Sequence, residues 1–123
     1  MLISYYDLYR QKQGDRALTV GHMAKYLEFV VQVPGGGPVL DFGCGWGQLL
    51  EALQGAGVHC EGVDVCREQV EASSARGCSV IHVADSLSWL RASIELRKTW
   101  STIFLMDVLE HFTADGQMEL IPL

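Results

Sequence analysis

Val39-Leu40-Asp41-Phe42-Gly43-Cys44-Gly45-Trp46-Gly47 reads as a short apolar strand running straight into a glycine turn, and Leu49, Leu50, Leu53 and Ala56 behind it mark a helix. Strand, glycine turn and helix together open a parallel sheet. Upstream, Pro34-Gly35-Gly36-Gly37-Pro38 is too short for a domain linker and serves as a tight connection into the strand. Before that break, Met1 to Val33 reads as helical, with Leu18, Val20, Met23, Tyr26, Leu27 and Val30 recurring at spacings near three and four. Downstream the alternation repeats. Val58 to Val63 is a strand ending at Asp64, Arg67 to Arg76 a helix stopped by Gly77, and Ser79 to Val83 a strand ending at Asp85. Leu87, Leu90 and Ile94 mark a further helix, Thr102 to Met106 a fourth strand ending at Asp107, and Ala114 to Leu120 a short amphipathic tail. Strands alternating with helices predict an α/β protein, a parallel sheet with flanking helices and right-handed crossovers.

With 123 residues, 49% of them hydrophobic and 20% charged, the chain suffices for one domain with a real core, which argues against intrinsic disorder. The net charge of −6, with scattered Lys and Arg, disfavours nucleic acid and anionic membranes as partners. No run is long enough to span a membrane, and Met1 to Arg16 lacks the apolar stretch of a signal peptide, so a cytoplasmic location is expected. Cys44, Cys60, Cys66 and Cys78 match neither a zinc site nor a disulfide framework, and read as small buried or half-buried fillers.

In open parallel sheets ligands sit outside the carboxyl ends of the strands, where this sequence places Asp41, Asp64, Asp85 and Asp107. Any one of them alone reads equally well as a helix cap or turn residue. Together with the turn Gly43-x-Gly45-x-Gly47, whose backbone can approach a ligand closely, they point to a bound small molecule. Asp64, at the tip of the second strand, is placed to accept hydrogen bonds from ribose hydroxyls, which implies a nucleoside. A dinucleotide fingerprint would require glycine where Gln48 stands, which weakens a nicotinamide reading.

These residues resemble the motifs of class I S-adenosylmethionine-dependent methyltransferases. Val39 to Gly47 is similar to the family's first motif, Glu61-Gly62-Val63-Asp64-Val65 to its second and Ala84-Asp85-Ser86 to its third. Leu105-Met106-Asp107-Val108-Leu109-Glu110-His111-Phe112 resembles the fourth, in the form found in quinone-biosynthesis O-methyltransferases. The resemblance implies a Rossmann-like sheet in the order 3-2-1-4, an N-terminal helical cap over 1–33 and an S-adenosylmethionine-binding domain over 34–123. It also implies that backbone at Gly43, Cys44 and Gly45, within the turn closed by Gly47, lies against the methionine part of the cofactor, with Asp41 organising its ammonium. Asp64 would hold the ribose, Val65 pack on adenine, Asp85 accept the adenine amino group beside the Ser86 backbone, and Met106 or Asp107 border the methyl end. Cys44 is then a small residue with a usable amide rather than a nucleophile.

For proton removal during transfer, His111 is the candidate base, against a purely structural role beside Glu110. A metal site at Asp107, Glu110 and His111 has no second histidine or carboxylate pair behind it, and no metal is expected. Tyr5, Tyr6, Tyr9 and Arg10 read as packing before they read as a lid. After the fourth strand the sequence lacks both Pro-Pro with an aromatic and Pro-Cys, so a small or carrier-linked acceptor is expected rather than nucleic acid. The family resembled has seven strands, and this sequence offers four. The fourth would be an apolar edge, expected to signify a truncated chain, a homo-oligomer, or a second subunit covering strand four. The alternative function is a catalytically incomplete module that binds cofactor or a partner through that edge.

Overall fold

Short apolar runs separated by glycine and aspartate turns cannot bury both faces alone, and here they do so by assembling side by side. The computed structural model describes residues 21–106 and 114–120. Its strands β1 (Val39–Phe42), β2 (Cys60–Asp64), β3 (Val80–His82) and β4 (Thr102–Phe104) form one parallel sheet in the order β3-β2-β1-β4. Helices α1 (Gln48–Gly55), α2 (Arg67–Ala75) and α3 (Ser86–Glu95) connect the strands, and α4 (Ala114–Leu120) follows. The Rossmann-like expectation and its strand order both hold. β1 pairs with β2 from Val39↔Cys60 to Phe42↔Val63 and with β4 from Val39↔Thr102 to Asp41↔Phe104. Its four residues are all buried, as a central parallel strand covered on both faces should be.

Because side chains alternate along a strand, the sheet divides its apolar residues between two clusters. Val39, Cys60 and Phe104 pack with Leu49, Leu50 and Leu53 of α1 on one face, while Leu40, Phe42 and Val63 pack with Leu87 and Leu90 of α3 on the other. Each fully buried leucine contributes about 2 kcal/mol from apolar burial. β2 and α1 meet at Gly62, where an added Cβ would lie 2.6 Å from Leu50 Cδ1 and 2.8 Å from Cys44 Cβ. Only a residue without a side chain lets the turn after β1 settle on β2. All four cysteines carry thiols, with Cys44, Cys60 and Cys78 buried and Cys66 partly exposed. They fill space, as expected of small residues.

The elements differ from the sequence expectation at three places. β3 and β4 are each three residues long, although Val83 N–H still donates to Asp64 O at the end of β3. Helix does not continue to Val33. Residues 21–23 are helical, Ala24–Phe29 form a 3-10 helix, and Val30 is already extended at φ −74, ψ 123. Three valines within four residues resist helix, and the residue before Pro34 is driven towards extended backbone. The extended segment is tied to β4 by side chains: Val31 N–H donates to Thr102 Oγ1 at 3.0 Å and Val33 N–H to Ser101 Oγ at 3.1 Å. Residues 1–20 of the expected cap lie outside the described residues. No described helix is long and apolar enough to cross a membrane. β4 is an edge strand with Ile103 45% exposed.

Candidate functional site

The turn after β1 folds back onto the end of β2. Gly43 and Cys44 N–H both donate to Val63 O, at 2.9 and 3.0 Å, and Gly45 N–H donates to Asp64 Oδ2 at 2.9 Å. Gly47 N–H closes the turn on Cys44 O at 3.0 Å. The Cys44 amide, expected to be available to a ligand, is therefore already engaged within the chain. Gly47 is required for another reason than ligand approach. It has φ +82, and a Cβ there would sit 2.8 Å from Ser73 Cβ on α2.

Two carboxylates stand beside this turn in different states. Asp64 is partly buried and anchored, Oδ1 accepting from Cys66 N–H at 2.8 Å and Oδ2 from Gly45 N–H. Each of its oxygens keeps a further acceptor direction. Asp41 is 3% exposed, and its Oδ1 has no hydrogen-bond partner. Burial, and then the charge of Asp64, push its carboxyl up to about 7. An orphaned buried oxygen of this kind calls for a donor. The Cys44 thiol, raised far above the ordinary thiol range by burial and then by Asp41 and Asp64, stays neutral, which is unsuited to a nucleophile.

Beyond the turn, Val65 exposes 53% of its surface just after β2, and its carbonyl lies 3.1 Å from His82 Nε2. Asp85 caps α3, accepting from Leu87 N–H at 3.0 Å, Ser88 N–H at 3.4 Å and Ser88 Oγ at 3.0 Å. Those bonds, the Ser88 hydroxyl first, hold its carboxyl below the usual range. Ser86 is the first residue of that helix. Met106 packs against the cluster containing Val39 and Phe104. Hydrogen bonds and shared electrostatics thus bring together Asp41, Gly43, Cys44, Gly45 and Asp64, and the turn ends at Gly47 against α2. Asp107 and His111 lie outside the described residues, as do Glu110 and the N-terminal tyrosines.

Three residues of the site carry no signal that a motif reading would use. Gln69 and Ser73, four apart on one face of α2, are buried beneath the turn, Ser73 Oγ donating to Gln69 O at 2.6 Å. His82 backs the Val65 carbonyl from β3. Among the described residues, no three His, Cys, Asp or Glu side chains gather as metal ligands would.

A cation suits this arrangement better than an anion, because the orphaned acceptor is a carboxylate oxygen beside a second carboxylate. Residues 12–117 match a family model described as a methyltransferase domain. Among solved structures, the chain is similar to a SAM dependent methyltransferase from Archaeoglobus fulgidus, with 28% identity and a TM-score of 0.57 over 72% of this chain and 38% of that one. It shares the fold of magnesium protoporphyrin IX methyltransferase from Synechocystis PCC 6803, solved with bound SAM, at 20% identity and a TM-score of 0.54, over 98% of this chain and 57% of that one. No curated protein matches. The chain belongs to the class I S-adenosylmethionine-dependent methyltransferase family. It spans 38% and 57% of the length of these two relatives.

Proposed function

We propose that this chain binds S-adenosylmethionine at the carboxyl end of its sheet and supplies the cofactor side of a methyltransferase acting on a small or carrier-linked acceptor. One observation carries the reading. The glycine turn uses its N–H groups on Val63 O, Asp64 and Cys44 O, and leaves beside them a buried carboxylate oxygen without a donor. A pyrophosphate would meet negative charge and engaged amides, whereas an ammonium group would meet the acceptor that Asp41 lacks a partner for.

When bound, S-adenosylmethionine supplies a methyl group on a sulfonium, open to in-line displacement by an acceptor atom. Asp41 takes the ammonium, and Asp64, fixed by Gly45 and Cys66, offers its remaining acceptor directions to the ribose hydroxyls. The exposed Val65 side chain offers adenine an apolar face. Asp85 and Ser86 at the start of α3 would border the adenine edge, Met106 or Asp107 the methionine end, and His111 would take the acceptor's proton. Residues 34–123 form this cofactor domain and 1–33 its cap. A cytoplasmic location is part of this reading, and the acidic composition disfavours nucleic acid and anionic membranes as partners.

A second reading concerns association. β4 lies at the sheet edge with Ile103 and Leu105 exposed, which suits pairing with a second copy or another subunit. Light scattering on the purified chain tests the first of these, a monomer mass excluding self-association.

Calorimetric titration with S-adenosylhomocysteine and, separately, with NAD tests the main reading. Saturable binding of the first alone is expected. Asp64→Ala should weaken that binding by about 1–3 kcal/mol, because the ribose loses an acceptor and the turn loses its anchor. A folded chain that binds NAD and not S-adenosylhomocysteine would overturn the assignment.

A further inference from the structure

The pairing of Asp41 with Asp64 has a consequence for how ligand binding depends on pH, and it rests on the cofactor reading above. Asp64 accepts from two backbone donors, Gly45 N–H and Cys66 N–H. Asp41, more deeply buried and with Oδ1 unpartnered, has no donor there to stabilise a second negative charge. Its strand neighbours are Gly62 of β2 and Phe104 of β4, neither of which titrates. The thiols of Cys44 and Cys60 lie in its field, and both are pushed up, Cys60 to about 11, so they remain neutral. Among the described residues, the charge acting on Asp41 is that of Asp64, and it repels.

We propose that Asp41 is a proton-exchange position in the cofactor site: without ligand it holds a proton, and a ligand bearing an ammonium group binds by displacing that proton to solvent. The ammonium takes over the role of the proton, so the buried acid is neutral before binding and the carboxylate–ammonium pair is neutral after it, the lost positive charge leaving as the proton released to solvent. Burial then costs the complex no uncompensated charge. Ligands that lack the ammonium do not displace the proton. The site thereby distinguishes S-adenosylmethionine and S-adenosylhomocysteine from adenine nucleosides without an amino-acid tail, and does so more strongly as pH rises. The ordinary carboxylate range would place such exchange near pH 4, and the raised Asp41 carboxyl moves it close to neutrality.

The test uses the full chain, titrated calorimetrically with S-adenosylhomocysteine and with 5′-methylthioadenosine at pH 6.0 and 7.5. At pH 6.0 the titrations are repeated in two buffers of different ionisation enthalpy. The homocysteine ligand should lose about tenfold in affinity from pH 7.5 to 6.0, with close to one proton released per ligand bound at the lower pH. The methylthioadenosine affinity should stay level and release no proton. Asp41→Asn, which keeps the side-chain shape, should flatten the pH dependence for the first ligand. Tight S-adenosylhomocysteine binding with no pH dependence and no proton release would overturn the exchange while leaving the cofactor reading standing. Binding of neither ligand by the folded chain would overturn both.

Discussion

On the face of the sheet covered by α3, Glu61 accepts the Lys98 ammonium at 2.7 Å and the Trp100 indole N–H at 2.8 Å, with Lys98 also lying over the Trp89 and Trp100 rings. On the opposite face, one rung along, Asp41 is buried without a donor on Oδ1 and lies in the repulsive field of Asp64. Both acids occupy strands of one sheet, yet one is neutralised by its own chain and the other is not. A carboxylate placed for stability is given its cation by the fold. A carboxylate left short of one marks where the fold expects a cation from outside.

Breaking the Asp41 face from beneath should have the largest effect. Gly62→Val would drive a side chain into Leu50 and Cys44, costing about 3 kcal/mol or more and abolishing the cooperative melt seen by circular dichroism. Relieving the unmatched charge should act the other way. Asp41 has a folded-state proton affinity above its unfolded one, so between about pH 4 and pH 7 the native chain binds more protons and its stability falls as pH rises. Asp41→Asn should therefore raise stability at pH 8 and leave it unchanged near pH 4. Urea melts at the two pH values measure this difference. Last, Glu61→Ala on the opposite face should lower stability by about 1 kcal/mol, since Lys98 and Trp100 lose their acceptor, while S-adenosylhomocysteine affinity stays as it was. A loss of affinity in that variant would erase the contrast between the faces.

The sheet was legible because its signals are local: Val39 to Phe42 is a continuous apolar run, and Gly43 to Gly47 cannot continue it. The positions of Asp41 and Asp64 at strand tips followed from the same pattern. What the pattern does not contain is the use of each polar group. Whether Cys44 N–H points to a ligand or to Val63 O depends on how close β2 approaches, which Gly62 sets from a distant part of the chain. Likewise, apolar spacing through Val30 suggested helix, but the hydroxyls of Ser101 and Thr102 stabilise extended backbone there, and their contribution is tertiary. Asp85 fills the helix-cap role that its position at a strand end offered, accepting from Leu87 and Ser88 N–H, and this leaves its proposed place at the adenine edge untouched.

The four thiols give this chain a built-in clock for its own breathing. Cys66 alone is partly exposed, while Cys44, Cys60 and Cys78 sit in the core between α1 and the sheet. A thiol reagent should modify one residue promptly in the native protein and the remaining three only as the core opens. Counting labels by mass against time then reports the opening equilibrium of the first cluster directly, with no probe introduced. Adding S-adenosylhomocysteine should slow the three late events, because Cys44 lies in the turn that a ligand would hold shut.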